Sequence, residues 1–187
     1  MAIADLVSPA SYERVALRDP DGRWKLHRGQ PREKPGMSVE HNEVMSELPY
    51  RLQSQLDREA FRVRTNSARL RVNEQNDYIP DVAVIPTAAV RSLQDRLGRL
   101  DLYIDPIPLV VEIWLPSTGG YDIGENLAGY QERGDEKIWR IHPYEKTLIV
   151  WRRQADGSDT ETVYDGGTVE PVALPGVRLD LDALLTG

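Results

Sequence analysis

Apolar positions along the chain follow two rhythms, and these divide it into elements. Val44, Leu48, Leu52 and Leu56 recur every fourth residue after Ser38, which predicts an amphipathic helix through "VEHNEVMSELPYRLQSQLDREA" packed on a core. Pro49 inside it is expected to kink or divide that helix, because proline removes one ladder hydrogen bond. Upstream, Ser8 is placed to cap a short helix through "ASYERVAL", closed by the turn "RDPDGR". "WKLHRG" then reads as a short strand and "QPREKPG" as a turn-rich connection. In "FRVRTNSARLRVN" apolar residues alternate with Arg62, Arg64, Arg69 and Arg71 on either side of Asn66-Ser67. That pattern predicts a hairpin with one buried and one polar face, the arginines being either a solvated face or phosphate contacts.

"DVAVIP" and "PLVVEIW" are short, nearly continuous apolar runs, as expected of central strands covered on both faces. Between them, "TAAVRSLQDRLGRL" reads as a helix with Val90, Leu93 and Leu97 on one side. A turn, "LPSTGGYD", leads to the amphipathic "IGENLAGYQERG", with Asp122 as the expected N-terminal cap and Gly134 as the stop. "KIWRIHP" and "TLIVWRRQ" form a strand pair, and the tail holds a turn at "YDGG", a short strand and a helical turn in "LDLDALL". Trp114, Trp139 and Trp151 read as core or edge aromatics. The order predicts an α/β (α+β) domain, a mixed sheet flanked by helices, over residues 1–187 as one unit.

Two positions break the apolar pattern. Asp81 stands at the mouth of the first central run, directly after Pro80, and Glu112 lies inside the second. An ionised carboxylate on an inner strand is costly without a partner. Two at neighbouring strand ends are costlier, unless a cation lies between them. Magnesium suits such a place, since it takes oxygen ligands from one or two carboxylates plus waters and phosphate oxygens. The plainer alternative is an exposed Asp81 at a strand end and a Glu112 paired with an arginine.

Charge and composition narrow the partners. The 187 residues carry a net charge of −7, divided as +2 over residues 1–75 and −9 over 76–187. A local basic surface for a polyanion and an acidic pocket for a divalent cation are both compatible with that asymmetry. Cysteine is absent, which excludes a disulfide framework, a thiol nucleophile and cysteine-ligated zinc. The first residues lack a signal-peptide pattern, so a cytoplasmic protein is expected, with no membrane contact. The glycine-containing stretches "STGGYD" and "DGGT" lack phosphate-loop spacing, and there is no H-E-x-x-H zinc signature or serine-hydrolase elbow. His27, His41 and His142 are dispersed, and Ser117 and Thr118 have no evident base nearby.

The ordered landmarks "YIPDVAVI", "LVVEIWLPST", "YDIGENLAGYQERG" and "IWRIHP", with weaker "GRWKLHRGQ" and "MSVEHNEVM" upstream, resemble the Uma-type family of putative restriction endonucleases within the PD-(D/E)xK nuclease superfamily. The likeness spans roughly residues 12–150. It implies a restriction-endonuclease-like core and a magnesium-dependent (or manganese-dependent) site for DNA hydrolysis. It implies Asp81 and Glu112 as metal ligands, the Ile113 carbonyl as a further ligand, and His41 as a residue that lines the site, contacts substrate or is structural.

Three positions depart from the family pattern. Asn126 stands where the family's active-site lysine usually lies, Lys25 where an early strand usually carries glutamate, and Leu115 where a serine normally follows the glutamate strand. Either Lys25 supplies the missing ammonium, or the site has decayed into one that binds without cutting. The competing functions are thus a DNA endonuclease, a silent nucleic-acid-binding module and an interaction domain. A homodimer is the simplest way to cut both strands.

Overall fold

The computed structural model describes residues 6–19, 22–34, 36–116 and 119–186, with residues 119–123 described for their backbone alone. In chain order the elements are α1 (Pro9–Arg18), β1 (Trp24–His27), β2 (Gln30–Glu33), α2 (Val39–Gln55), β3 (Phe61–Thr65), β4 (Arg69–Asn73), β5 (Asn76–Tyr78) and β6 (Val82–Pro86). They continue with α3 (Thr87–Ser92), β7 (Leu102–Tyr103), β8 (Leu109–Ile113), α4 (Gly119–Arg133), β9 (Lys137–His142) and β10 (Thr147–Arg153). The chain closes with β11 (Asp159–Tyr164), β12 (Thr168–Val169), β13 (Leu179–Asp180) and α5 (Leu181–Leu185).

A six-stranded mixed sheet, ordered β11-β10-β9-β8-β6-β3, forms the centre. Strand alternation divides its side chains between two cores. Val82 and Val84 of β6 and Leu109, Val111 and Ile113 of β8 point to one face, where the Val44, Leu48 and Leu52 stripe of α2 and Leu181 and Leu184 of α5 cover them. Ala83, Ile85 and Val110 point to the other, against Tyr130 of α4 and Leu70 and Tyr78 of a second sheet. That second sheet has five strands, β2-β1-β5-β4-β7, and a two-stranded ribbon pairs β12 with β13. Burial on both faces explains why β6 and β8 read as unbroken apolar runs.

Caps form as their residue types dictate. Ser8 accepts from the Ser11 amide at 3.2 Å and Ser38 from the His41 amide at 3.2 Å. α2 runs through Pro49 as one 17-residue helix, with Pro49 itself buried, so the expected division does not occur.

Several expectations are corrected. "QPRE" is strand β2 rather than a loose connection: Arg28 (φ 49°) and Gly29 (φ 69°) both adopt the left-handed conformation, the two-residue turn that matches strand twist. β3 and β4 exist where alternation put them but do not pair with each other. β3 is the edge strand beside β6, while β4 lies between β5 and β7 in the second sheet. Period-2 alternation fixes a face and leaves the partner open. Their arginines are half-buried: Arg71 makes two bonds to the buried Asp77, and Arg62 donates to Thr87 Oγ1 at 3.2 Å.

α3 stops at Ser92, and Leu97 is almost fully exposed, because Asp95 (φ 62°) and Gly98 (φ 74°) turn the backbone out of the helix. α4 begins at Gly119, so Asp122 lies in its first turns rather than at its cap; its side chain, with Ser117 and Thr118, lies outside the described residues. The stop at Gly134 (φ 80°) holds. β11 was not among the expected elements: its residues are mostly exposed, and it is an edge strand without a buried stripe to announce it.

Among the described residues no helix is long and apolar enough to cross a membrane.

Candidate active site

β6 runs antiparallel to β8 with Val82 opposite Val111, so the residue before β6 meets the one after Val111. The start of β6 and the end of β8 thus bring Asp81 and Glu112 to neighbouring positions. Pro80 ends the preceding segment, and the Asp81 carbonyl accepts from the Asn66 amide at 2.9 Å.

Asp81 is buried, with 4% of its surface exposed, which rejects the exposed strand-end alternative. Its Oδ2 accepts from the Ile113 amide at 2.8 Å and from His41 Nε2 at 3.2 Å. A carboxylate only accepts, so His41 carries its proton on Nε2. Oδ1 accepts from Lys34 Nζ at 2.8 Å. Burial alone would raise the Asp81 pKa, but the Lys34 ammonium and the His41 contact outweigh it and hold the carboxyl well below the usual carboxylate range.

Glu112 faces the opposite balance. Strand alternation turns it toward α4, where Tyr130 donates to its Oε1 at 2.6 Å and Asn126 Nδ2 at 3.3 Å. No arginine bonds it among the described residues; Arg140 is only its register partner on β9. Burial first, then the negative charge of Asp81, push its pKa up to about 7. Lys34, the Tyr130 bond and Lys25 oppose that rise. The Tyr130 hydroxyl, itself raised well above its ordinary pKa by burial and by Glu112, remains a donor.

The expected site residues therefore gather to different degrees. Asp81, His41 and the Ile113 amide form one bonded group, and Glu112 and Asn126 another, the two linked by charge. Ile113 enters the first group through its N–H. Lys25, on β1 of the second sheet, is 8% exposed and its charge acts on Glu112. Leu115 is buried, as an apolar residue in the serine's place would be.

Three residues escaped the sequence reading in these roles. Lys34 lies in a segment whose composition predicts a turn, and Asn66 between two strands whose alternation predicts a hairpin. Tyr130 lies one helical turn after Asn126 and so shares its face, which was the available signal.

The donor set fits a hard divalent cation. Two carboxylates lie close enough for one to raise the other's pKa, and Asn126 Oδ1 is a buried amide oxygen with no hydrogen-bond partner among the described residues. No three His, Cys, Asp or Glu side chains converge on one point among the described residues, so water and substrate oxygens would complete the shell.

Beyond Glu112, Trp114 stacks on His142 with ring centroids 4.3 Å apart, and Tyr144 meets Trp114 edge-on at 5.7 Å. Tyr144 Oη donates to Glu40 at 2.8 Å, tying this group to the first turn of α2. Trp139 and Trp151 are buried core aromatics, as expected.

A mixed sheet flanked by helices is the fold that the family resemblance implies, and here Asp81 and Glu112 stand at the adjoining ends of two of its central strands. The chain matches the family model Uma2, described as "Putative restriction endonuclease", over residues 9–182, and it belongs to that family. It is also similar to a solved structure described as a "putative nuclease belonging to DUF820 from Anabaena variabilis ATCC 29413". The TM-score is 0.71 at 19% identity, over 87% of this chain and 89% of that one, a likeness of fold. No curated protein matches.

Proposed function

We propose that this protein is a divalent-metal-dependent endonuclease that hydrolyses DNA phosphodiester bonds at the Asp81–Glu112 centre. The observation that carries the reading is the pairing of these two acids at one meeting of strand ends, with Glu112 held near neutrality by burial and by Asp81. Membership of a family described as a restriction endonuclease supports DNA as the substrate.

Asp81 and Glu112 would hold magnesium or manganese, with Asn126 Oδ1 within the same group. When bound, such an ion polarises a phosphoryl oxygen and acidifies a water. The chain's own residues prepare the place for it. The Ile113 amide and His41 fix one oxygen of Asp81, so its carboxylate plane is set before substrate arrives. Tyr130 and Asn126 fix one oxygen of Glu112 and leave Oε2 without a donor among the described residues. Tyr130 also favours the ionised form that a cation requires. Lys25 adds positive charge on the side of Glu112, where a phosphodiester would bring negative charge. A cytoplasmic, homodimeric enzyme is the form that suits cleavage of both strands.

The competing reading, a module that binds nucleic acid without cutting, draws on one feature. Asn126 brings no charge to the position where the family usually has lysine. Incubation of supercoiled plasmid with magnesium or manganese separates the two. Nicking by the wild type, absent from Asp81→Asn and Glu112→Gln, supports the enzyme. DNA binding without nicking in either metal rejects it.

A further inference from the structure

Lys34 lies between β2 and α2, and its ammonium is held in a cage of oxygens. Nζ donates to Asn66 Oδ1 at 2.7 Å, to Asp81 Oδ1 at 2.8 Å and to the Ile79 carbonyl at 2.9 Å. An ammonium has three N–H donors, and these three acceptors use all of them. The side chain is 13% exposed. Backbone hydrogen bonds hold the cage in place. The Lys34 amide donates to the Arg23 carbonyl at 3.0 Å, and Asn66, in the left-handed conformation (φ 49°), donates its amide to the Asp81 carbonyl. An ammonium so committed has no proton left to orient a water or a phosphate, unlike a lysine that works on substrate. Its charge, however, lies in direct contact with Asp81, 2.8 Å from Oδ1.

We infer that Lys34 is a resident cation that competes with the divalent ion for Asp81. The inference rests on the metal-site reading above and adds a restraint to it. A single positive charge already satisfies Asp81 Oδ1, so an incoming ion meets repulsion and must share or displace it. In the metal-free protein Lys34 pairs with the buried Asp81 and ties it to Asn66 and to the Ile79 carbonyl. When an ion binds, the ammonium loosens from its cage. Lys34 thereby weakens metal affinity and makes occupancy of the centre depend on the ambient divalent concentration.

Isothermal titration with manganese chloride tests this on the full chain, comparing wild type, Lys34→Met, Asp81→Asn and the double variant. Lys34→Met should bind manganese about tenfold more tightly or better, since a nearby like charge is gone. Both variants carrying Asp81→Asn should lose that binding. Equal or weaker affinity in Lys34→Met, with binding still lost in Asp81→Asn, would overturn the competition and leave the metal site standing. Binding by Asp81→Asn at wild-type affinity would remove the site and the inference together. Should Lys34→Met fail to fold, the wild type decides through the 15N resonance of its caged ammonium. That signal should shift or vanish when magnesium saturates the protein, and an unchanged signal contradicts the inference.

Discussion

The Tyr130 hydroxyl donates a 2.6 Å hydrogen bond to Oε1 of Glu112, so a buried residue of α4 favours the ionised form of a strand carboxylate against burial and Asp81. Losing this donor leaves burial and Asp81 less opposed, and the Glu112 pKa should climb further above about 7. Hydrogen bonds to charged groups contribute about 1.5–3 kcal/mol, which corresponds to about one to two pH units. Tyr130→Phe should therefore move the midpoint of manganese binding to higher pH. Titrations at a series of pH values measure it, and an unmoved midpoint would deny Tyr130 this role.

Metal-free stability should fall across the neutral range. Glu112 has a folded pKa of about 7 against an ordinary 4.5, so the folded chain holds a proton that the unfolded chain releases. Its contribution is full below the unfolded value and is lost as pH rises through the folded one, a fall of roughly 2–4 kcal/mol. Asp81 acts in the opposite sense: its depressed pKa adds stability above its ordinary value, lost only in acid. Urea denaturation in EDTA from about pH 5 to about pH 8 should show the decline in wild type and a flatter curve in Glu112→Gln. Equal slopes would place the titrating group elsewhere.

Arg133 and Asp135 form a buried pair, with side chains 1% and 0% exposed. The same guanidinium caps the carbonyls of Arg71, Tyr103 and Asp105, joining the end of α4 to β4 and β7. Arg133→Ala strands a buried carboxylate and these carbonyls, and should cost roughly 3–5 kcal/mol in denaturant unfolding. A loss under about 1 kcal/mol would mean that the pair contributes no more than an exposed bridge does.

Gly129 reverses the usual rule for glycine in a helix. Alanine there should gain about 1 kcal/mol from propensity alone. A Cβ, however, would lie 2.5 Å from Tyr78 Cε2 and 3.2 Å from Val72 Cγ2. Tyr78 is buried and meets Tyr130 edge-on, with ring centroids 5.6 Å apart, so it has little room to yield. Gly129→Ala should lower the thermal midpoint, by roughly 1–3 kcal/mol of stability. A raised midpoint would show that Tyr78 moves freely.

How much of this was legible follows from what each signal encodes. β6, β8 and α2 were readable because burial on two sheet faces or one helix face leaves a period in the sequence. Asp81 and Glu112 were readable because they interrupt that period. The partners of β3 and β4 were not, since alternation carries no address for the neighbouring strand. Lys34 was invisible for a related reason. A lysine in a segment rich in proline and glycine reads as solvent-exposed, and only the fold brings it to Asp81, 47 positions away.

The most direct test of the metal centre is anomalous scattering from a crystal soaked in manganese. A bridging ion predicts one peak within about 2.4 Å of an oxygen of both Asp81 and Glu112. A fully occupied manganese peak elsewhere, with Lys34 still caged against Asp81, would contradict it.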